Sequence, residues 1–206
     1  MNIYLLNLTS IPEQDVSEYR HVLDADRQTR IAQYGRSADQ RRSFGAGMAL
    51  LYAWRLQYKE RAMPQIVRNE NGKPYFIGKA VSFCLSHSGN YAACVLGEVS
   101  DGEIGLDIQE PRRIRAAVAA RFFSEGEKEQ LRAGEDICLI WSRKESLAKY
   151  RGSGLRGDLR LLDTADAAAH IWSCCTPDGY AISVCTKEAV ACRMVYLTWE
   201  QVKGIL

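Results

Sequence analysis

The sequence predicts an α+β fold of two similar halves, and three observations carry that prediction. Short strand-like runs alternate with two long helical stretches, one in each half of the 206 residues. A short echo links the halves: Tyr91-Ala92 with Val95 recurs as Tyr180-Ala181 with Val184, each time in a strand entered through Asn90 or Gly179. Between the copies, Gly97, Ser100, Asp101 and Gly102 have the composition of a linker. The chain then divides into residues 1–101 and 102–206.

Residues 2–8 read as a strand, and Asp24 to Tyr34 as a short helix with Asp24 as its N-cap. Ser37 to Glu60 follows as a long helix that Ser37 can cap, with Phe44, Met48, Leu51, Tyr52 and Leu56 at the helical period. Asn69 to Pro74 is a turn by composition. Strands are expected at 81–86 and 91–97, and a further one at 103–109 opens the second half. A helix fits 135–150, and 168–175, 179–186 and 191–198 read as strands.

Composition excludes several classes of function. Hydrophobic residues at 47% and charged residues at 25% are ordinary globular proportions, against a fibrous or disordered chain. The net charge of +2 is shared evenly, +1 over residues 1–103 and +1 over 104–206, so no global field points to a nucleic acid or a membrane. No apolar run reaches the length of a membrane span, and the start at Met1 lacks a basic leader and cleavage site. Seven cysteines without a Cys-x-x-Cys pair argue against disulfides and structural zinc. Free thiols in a reducing cytoplasm is the expectation.

Three stretches carry chemistry. In Glu103 to Gln109, Ile104, Leu106 and Ile108 alternate with Gly105, Asp107 and Gln109, so a strand buries the first set and presents the second. Grouped oxygens on Asp107 and Gln109 suit a magnesium ion that also binds phosphates, and Gly105 leaves room for a close approach; a solvated aspartate at a strand end is the plainer alternative. On the helix Ile137 to Tyr150, Lys144 falls inside an apolar arc with Glu145 and Lys149 along its edge. Glu145 and Lys149 are either a surface pair or charges at a core margin that need an ion. The third stretch, Phe83 to Asn90, ends a strand in Ser86-His87-Ser88-Gly89. Ser86 and Asn90 stand where a hydrolase elbow centred on Ser88 needs glycines, so these hydroxyls either cap a turn or reach a ligand.

Together the stretches resemble the 4'-phosphopantetheinyl transferases, in particular their long, two-halved (Sfp-type) branch. The motifs are Leu85-Ser86-His87-Ser88-Gly89, Ile104-Gly105-Leu106-Asp107-Ile108-Gln109, Phe123 to Glu127, and Trp141-Ser142-Arg143-Lys144-Glu145-Ser146-Leu147-Ala148-Lys149. Order and spacing match along nearly the whole chain. The resemblance implies two α/β halves in a pseudo-twofold arrangement, mostly antiparallel sheets each packed on a long helix, with coenzyme A in the cleft between them. The first half would bind the coenzyme phosphates, and the second would hold the metal site and catalytic helix.

The implied reaction moves 4'-phosphopantetheine from coenzyme A to a serine of an apo acyl carrier protein or a peptidyl or aryl carrier domain, releasing 3',5'-ADP. Asp107 and Glu145 would bind magnesium, with manganese as a substitute; the family's third carboxylate is Gln109 here, the one clear departure. Glu145 is also the candidate base, directly or through water, and Lys149 holds the pyrophosphate. Lys144 supports the helix from the protein side, and Glu127 is a further polar residue in reach. Arg27, Arg30, Arg42, Lys73, Ser86 and His87 fall on coenzyme-binding positions, with Arg41 a competitor of Arg42. The arginine-rich segment 111–124 (Arg112, Arg113, Arg115, Arg121) is either an amphipathic helix or the surface that docks an acidic carrier. With both halves in one chain a monomer suffices. The alternative, favoured by Gln109, is a coenzyme A or nucleotide-binding protein without transferase activity.

Overall fold

The computed structural model describes residues 1–111, 116–153, 158–165 and 168–206. The first half runs β1 (Asn2–Asn7), α1 (Glu13–Tyr19), α2 (Ala25–Gln33), α3 (Ser37–Tyr58), β2 (Ile66–Arg68), β3 (Pro74–Phe76), β4 (Phe83–Ser88) and β5 (Tyr91–Leu96). The second runs β6 (Gly105–Gln109), α4 (Ala116–Phe122), α5 (Glu125–Arg132), α6 (Ile137–Arg151), β7 (His170–Cys175), β8 (Ala181–Thr186), β9 (Arg193–Leu197) and α7 (Trp199–Lys203). Local chemistry fixes the helix ends. Asp24 accepts from the Arg27 amide at 2.9 Å, as expected of the cap of α2. Asp136 accepts from the amides of Cys138 and Leu139 and starts α6, which Gly152 closes at φ 67°. Helix α3 departs from expectation: Arg36 holds its N-cap position without a side-chain bond, and Ser37 is already helical.

One sheet has the order β4-β5-β1-β9, and another the order β6-β8-β7. Thus β1–helix–β4–β5 and β6–helix–β7–β8 share one strand order, with the last strand of each set in the middle. The expected second-half strand at 191–198 behaves differently. It crosses back as β9 to pair parallel with β1, Leu5 opposite Tyr196, so the otherwise antiparallel sheet contains one parallel pair and strands from both halves. Helix α7 follows it home, its Trp199 ring edge-on to Phe44 of α3 at 5.5 Å.

The strand period of two sets the layers. Tyr4, Leu6, Ala92 and Cys94 pack with Phe44, Met48 and Trp54 of α3. The opposite faces, Ile3, Leu5, Ala93 and Val95, pack on Leu106, Ile108, Ile182 and Val184 of the second sheet. The order is helix, sheet, sheet, helix, with α6 outermost. The echoed tyrosines meet at this junction, Tyr91 and Tyr180 edge-to-face at 4.9 Å. All seven cysteines are free thiols. Among the described residues no helix is long and apolar enough to cross a membrane.

Alternation along β6 is as the sequence implies, but both faces are covered, and every residue from Gly105 to Gln109 is buried. The opening expected beside Gly105 is filled by α6: a Cβ there would overlap the carbonyl oxygen of Ser146 and come within 2.6 Å of the Tyr150 amide. Glycine on the strand and small Ser142 and Ser146 on the helix bring the two backbones together.

Candidate active site

Where the halves meet, β4 lies against β6 through side chains. The amides of Leu106, Ile108 and Glu110 donate to Cys84 Sγ at 3.2 Å, Ser86 Oγ at 3.3 Å and Ser88 Oγ at 3.0 Å. Every second residue of β4 thus satisfies an amide of β6 that the β8 ladder does not, removing an open sheet edge. This seam carries Asp107 to the bottom of a cleft of about 650 Å³ between the halves.

Asp107 is 3% exposed. Its Oδ1 accepts from Lys149 Nζ at 2.7 Å and from Ser86 Oγ at 2.7 Å, and Lys149 also donates to Ser86 at 2.9 Å. Its Oδ2 is buried and has no hydrogen-bond partner among the described residues. A buried carboxylate oxygen left this way is costly unless a cation or donor completes it. Glu145 stands beside it on α6. Burial first, then the charge of Asp107, pushes the Glu145 carboxyl up to about 7, with Lys149 and a hydrogen bond from Trp141 opposing. For Lys149, burial disfavours the ammonium, but Asp107 and Glu145 outweigh it and raise its pKa. Gln109, 5% exposed, lines the same wall, and its Nε2 donates to the Glu110 carbonyl at 3.3 Å. Asp107, Gln109 and Glu145 fit an oxygen-ligated divalent ion. Among the described residues no group of three His, Cys, Asp or Glu that could hold a metal ion forms.

The opposite wall is basic: Arg27 and Arg30 from α2, Arg42 from α3 and Arg68 from β2. Burial lowers the Arg27 pKa against the pull of Asp24, the mark of a guanidinium that lacks a full counter-charge. Arg30 Nε is buried without a partner among the described residues. Arg42 pairs with Asp39, and Arg68 with Asp26 at 2.9 Å. His87 is exposed at the rim, yet the wall behind its ring and the cations Lys149 and Arg42 push its pKa down to about 4. It is neutral at pH 7. The cleft is therefore cationic on one wall and oxygen-rich on the other, suited to a polyphosphate ester held across a metal.

Most residues singled out from the sequence come together here: Arg27, Arg30, Arg42, Ser86, His87, Asp107, Gln109, Glu145 and Lys149 all line the cleft. Ser86 does so while committed to Asp107. Lys73 lies outside; it pairs with Glu103 and donates to the Tyr150 carbonyl at 3.3 Å, tying the 69–74 turn to the end of α6. Lys144 is fully buried, bonded to the Leu162 carbonyl and paired at 2.8 Å with Glu127, also fully buried. Glu127 therefore serves the far side of α6, and through the capping box with Ser124 the start of α5. Arg112, Arg113 and Arg115 lie outside the described residues. Two charged residues of the cleft were not read from the sequence. Arg68 arrives through the β2–β3 hairpin, which no periodicity marked, whereas Glu110 is the neighbour of Gln109 and adjacency alone pointed to it.

A family model described as the 4'-phosphopantetheinyl transferase superfamily matches residues 103–192. The chain is similar to the 4'-phosphopantetheinyl transferase AcpT of Salmonella typhimurium, 35% identical over 133 residues, which cover 60% of this chain and 68% of the relative. It is similar to the protein of the same name from Escherichia coli K12, 32% identical over 150 residues, covering 68% and 73%. A third relative, the 4'-phosphopantetheinyl transferase psf-1 of Bacillus pumilus, is 31% identical over 147 residues and covered to 61%.

Proposed function

The chain belongs to the 4'-phosphopantetheinyl transferase superfamily, and from that membership we propose that it moves the phosphopantetheine arm of coenzyme A onto a serine hydroxyl of an apo carrier protein, releasing 3',5'-ADP. The observation that carries this reading is buried Asp107, one oxygen of which has no partner among the described residues, with half-buried Glu145 beside it, facing an arginine wall across one cleft. The shared strand order of the two halves supports a pseudo-twofold arrangement like that of the long branch, for which a monomer suffices.

Asp107, Glu145 and Gln109 would hold magnesium, or manganese in its place. Bound there, the ion supplies positive charge to the pyrophosphate and to the leaving oxygen. The chain's own residues do the rest. Arg27, Arg30 and Arg42 neutralise the coenzyme phosphates, and Arg30 Nε gains the acceptor it lacks. Lys149, already held between Asp107 and Ser86, reaches the bridging phosphate charge as it builds up. Phosphoryl transfer of this kind depends on in-line placement and charge neutralisation more than on a protein nucleophile. Glu145, ionised once the ion is bound, takes the proton of the serine hydroxyl directly or through water. The carrier, acidic as carriers in general are, docks on 111–124, where Arg121 is exposed at the end of α4.

Intact-mass spectrometry of several apo carrier proteins, incubated with the protein, coenzyme A and magnesium, tests this. A gain of one phosphopantetheine that chelator abolishes is the expected result, and its rate ranks the clients. No gain on any carrier, with coenzyme A binding intact, favours a binding protein without transfer.

A further inference from the structure

At the rim of the cleft three segments meet at one hydroxyl. Tyr180 is 4% exposed, and its ring rests on Tyr91. Its Oη accepts from the Asn90 amide at 3.0 Å, within the turn from β4 to β5, and lies beside the Glu110 carboxylate at the end of β6, both next to Gly89. A phenol has one proton to give and lone pairs to receive, so the hydroxyl can accept from Asn90 while its proton stays available to the neighbouring carboxylate. Gly89 closes the arrangement. It sits at φ 50°, and a Cβ there would overlap the Tyr180 hydroxyl and stand 2.5 Å from Glu110 Oε1. The Ser88 hydroxyl adds a second tie by accepting from the Glu110 amide at 3.0 Å.

Ser88, Gly89, Gln109 and Glu110 all line the cleft, and the turn belongs to one half while Glu110 belongs to the other. The Asn90–Tyr180 and Glu110–Ser88 bonds therefore fix the distance between His87 on one rim and Gln109 on the other. A tyrosine needed only to fill this space would do so without its hydroxyl, because the ring contact with Tyr91 supplies the packing.

We propose that Tyr180 is a positioning residue of the transferase: its hydroxyl, seated against Gly89 and bonded to the Asn90 amide, anchors the Ser88–Asn90 turn beside Glu110 and so holds the coenzyme A cleft at its working width. This inference rests on the proposed function. It assigns Tyr180 no contact with the substrate; the hydroxyl acts through the turn.

The test compares wild type, Tyr180→Phe and, as a ring-only control, Tyr91→Phe. Coenzyme A binding is measured by calorimetry, transfer by carrier mass, and Asn90 amide exchange and thermal melting by standard means. Loss of a hydrogen bond of this kind corresponds to roughly a five- to tenfold effect. Tyr180→Phe is expected to weaken coenzyme A binding by about that factor and raise its KM alike, with kcat within about twofold. Asn90 exchange should speed up, and Tyr91→Phe should match wild type in binding. Unchanged affinity in Tyr180→Phe overturns the proposal. So does a loss of kcat and binding in step with a collapsed melting temperature, which marks a purely structural role. Wild type that binds no coenzyme A overturns the proposed function beneath it, an outcome visible before any variant is made.

Discussion

Lys149 Nζ and Asp107 Oδ1 stand 2.7 Å apart, a bond between the outermost helix and the strand it covers, and both groups also touch Ser86 of the other half. One oxygen of Asp107 is thereby held and the other left open. This division makes the two residues separable by mutation. Asp107→Ala should lower transfer by a hundredfold or more while melting close to wild type. Lys149→Met should cost a similar factor in kcat, with metal affinity retained because Asp107 Oδ2 and Glu145 remain. Near-normal turnover in either variant, in the carrier mass assay, refutes the assignment.

Glu145 makes the site sensitive to pH. Its pKa of about 7, against 4.5 unperturbed, means the folded protein holds this proton where the unfolded chain has lost it. The associated stability is complete below the unfolded value and is lost as pH rises through the folded one. A divalent ion favours the ionised form, so its binding should release close to one proton near about pH 6 and almost none near about pH 8. Calorimetry in two buffers of different ionisation heat measures this directly. Release that does not change with pH places the ion away from Glu145.

Gln109→Glu restores a third carboxylate to the oxygen-rich wall. Magnesium affinity is expected to rise on the order of tenfold, since charge count tunes such sites. An unchanged magnesium titration places Gln109 outside the coordination sphere.

Behind α6, Lys144 and Glu127 form an ion pair without access to water. Removing one partner strands the other, at a cost of about 3–5 kcal/mol, whereas replacing both by apolar residues costs far less. Lys144→Met should therefore melt well below wild type, and Lys144→Met/Glu127→Leu should recover most of the loss. If the double variant is as unstable as the single, the pair matters for shape rather than charge.

Gly105→Ala inserts a methyl group where the Ser146 carbonyl already sits. Overpacking of this kind costs about 1–3 kcal/mol, and here the strain lifts α6 from β6. Urea denaturation should register the loss, and transfer should fall as well, because the shift separates Lys149 and Glu145 from Asp107. Wild-type stability would mean that the helix backbone yields freely.

Local sequence determined much of this protein: two long helices, the alternation along β6, the Asp24 cap and the shared helix edge of Glu145 and Lys149. Periodicity and side-chain chemistry act over a few residues, and that range suffices for each of these. The echo of Tyr91 in Tyr180 likewise marked two stretches that take the same central place in their sheets. Tertiary structure alone decided the rest. Nothing local to 193–197 says that the strand leaves its own half to pair with β1, since strand pairing is set by which edge is open. Nothing near Gly105 distinguishes a gap for a ligand from a seat for α6, because both require a missing Cβ. Lys73 and Arg68 are both cations at a turn, yet Lys73 is drawn to Glu103 and Arg68 to the cleft. Which charge faces a site depends on partners far away in the chain, and only folding brings those partners into reach.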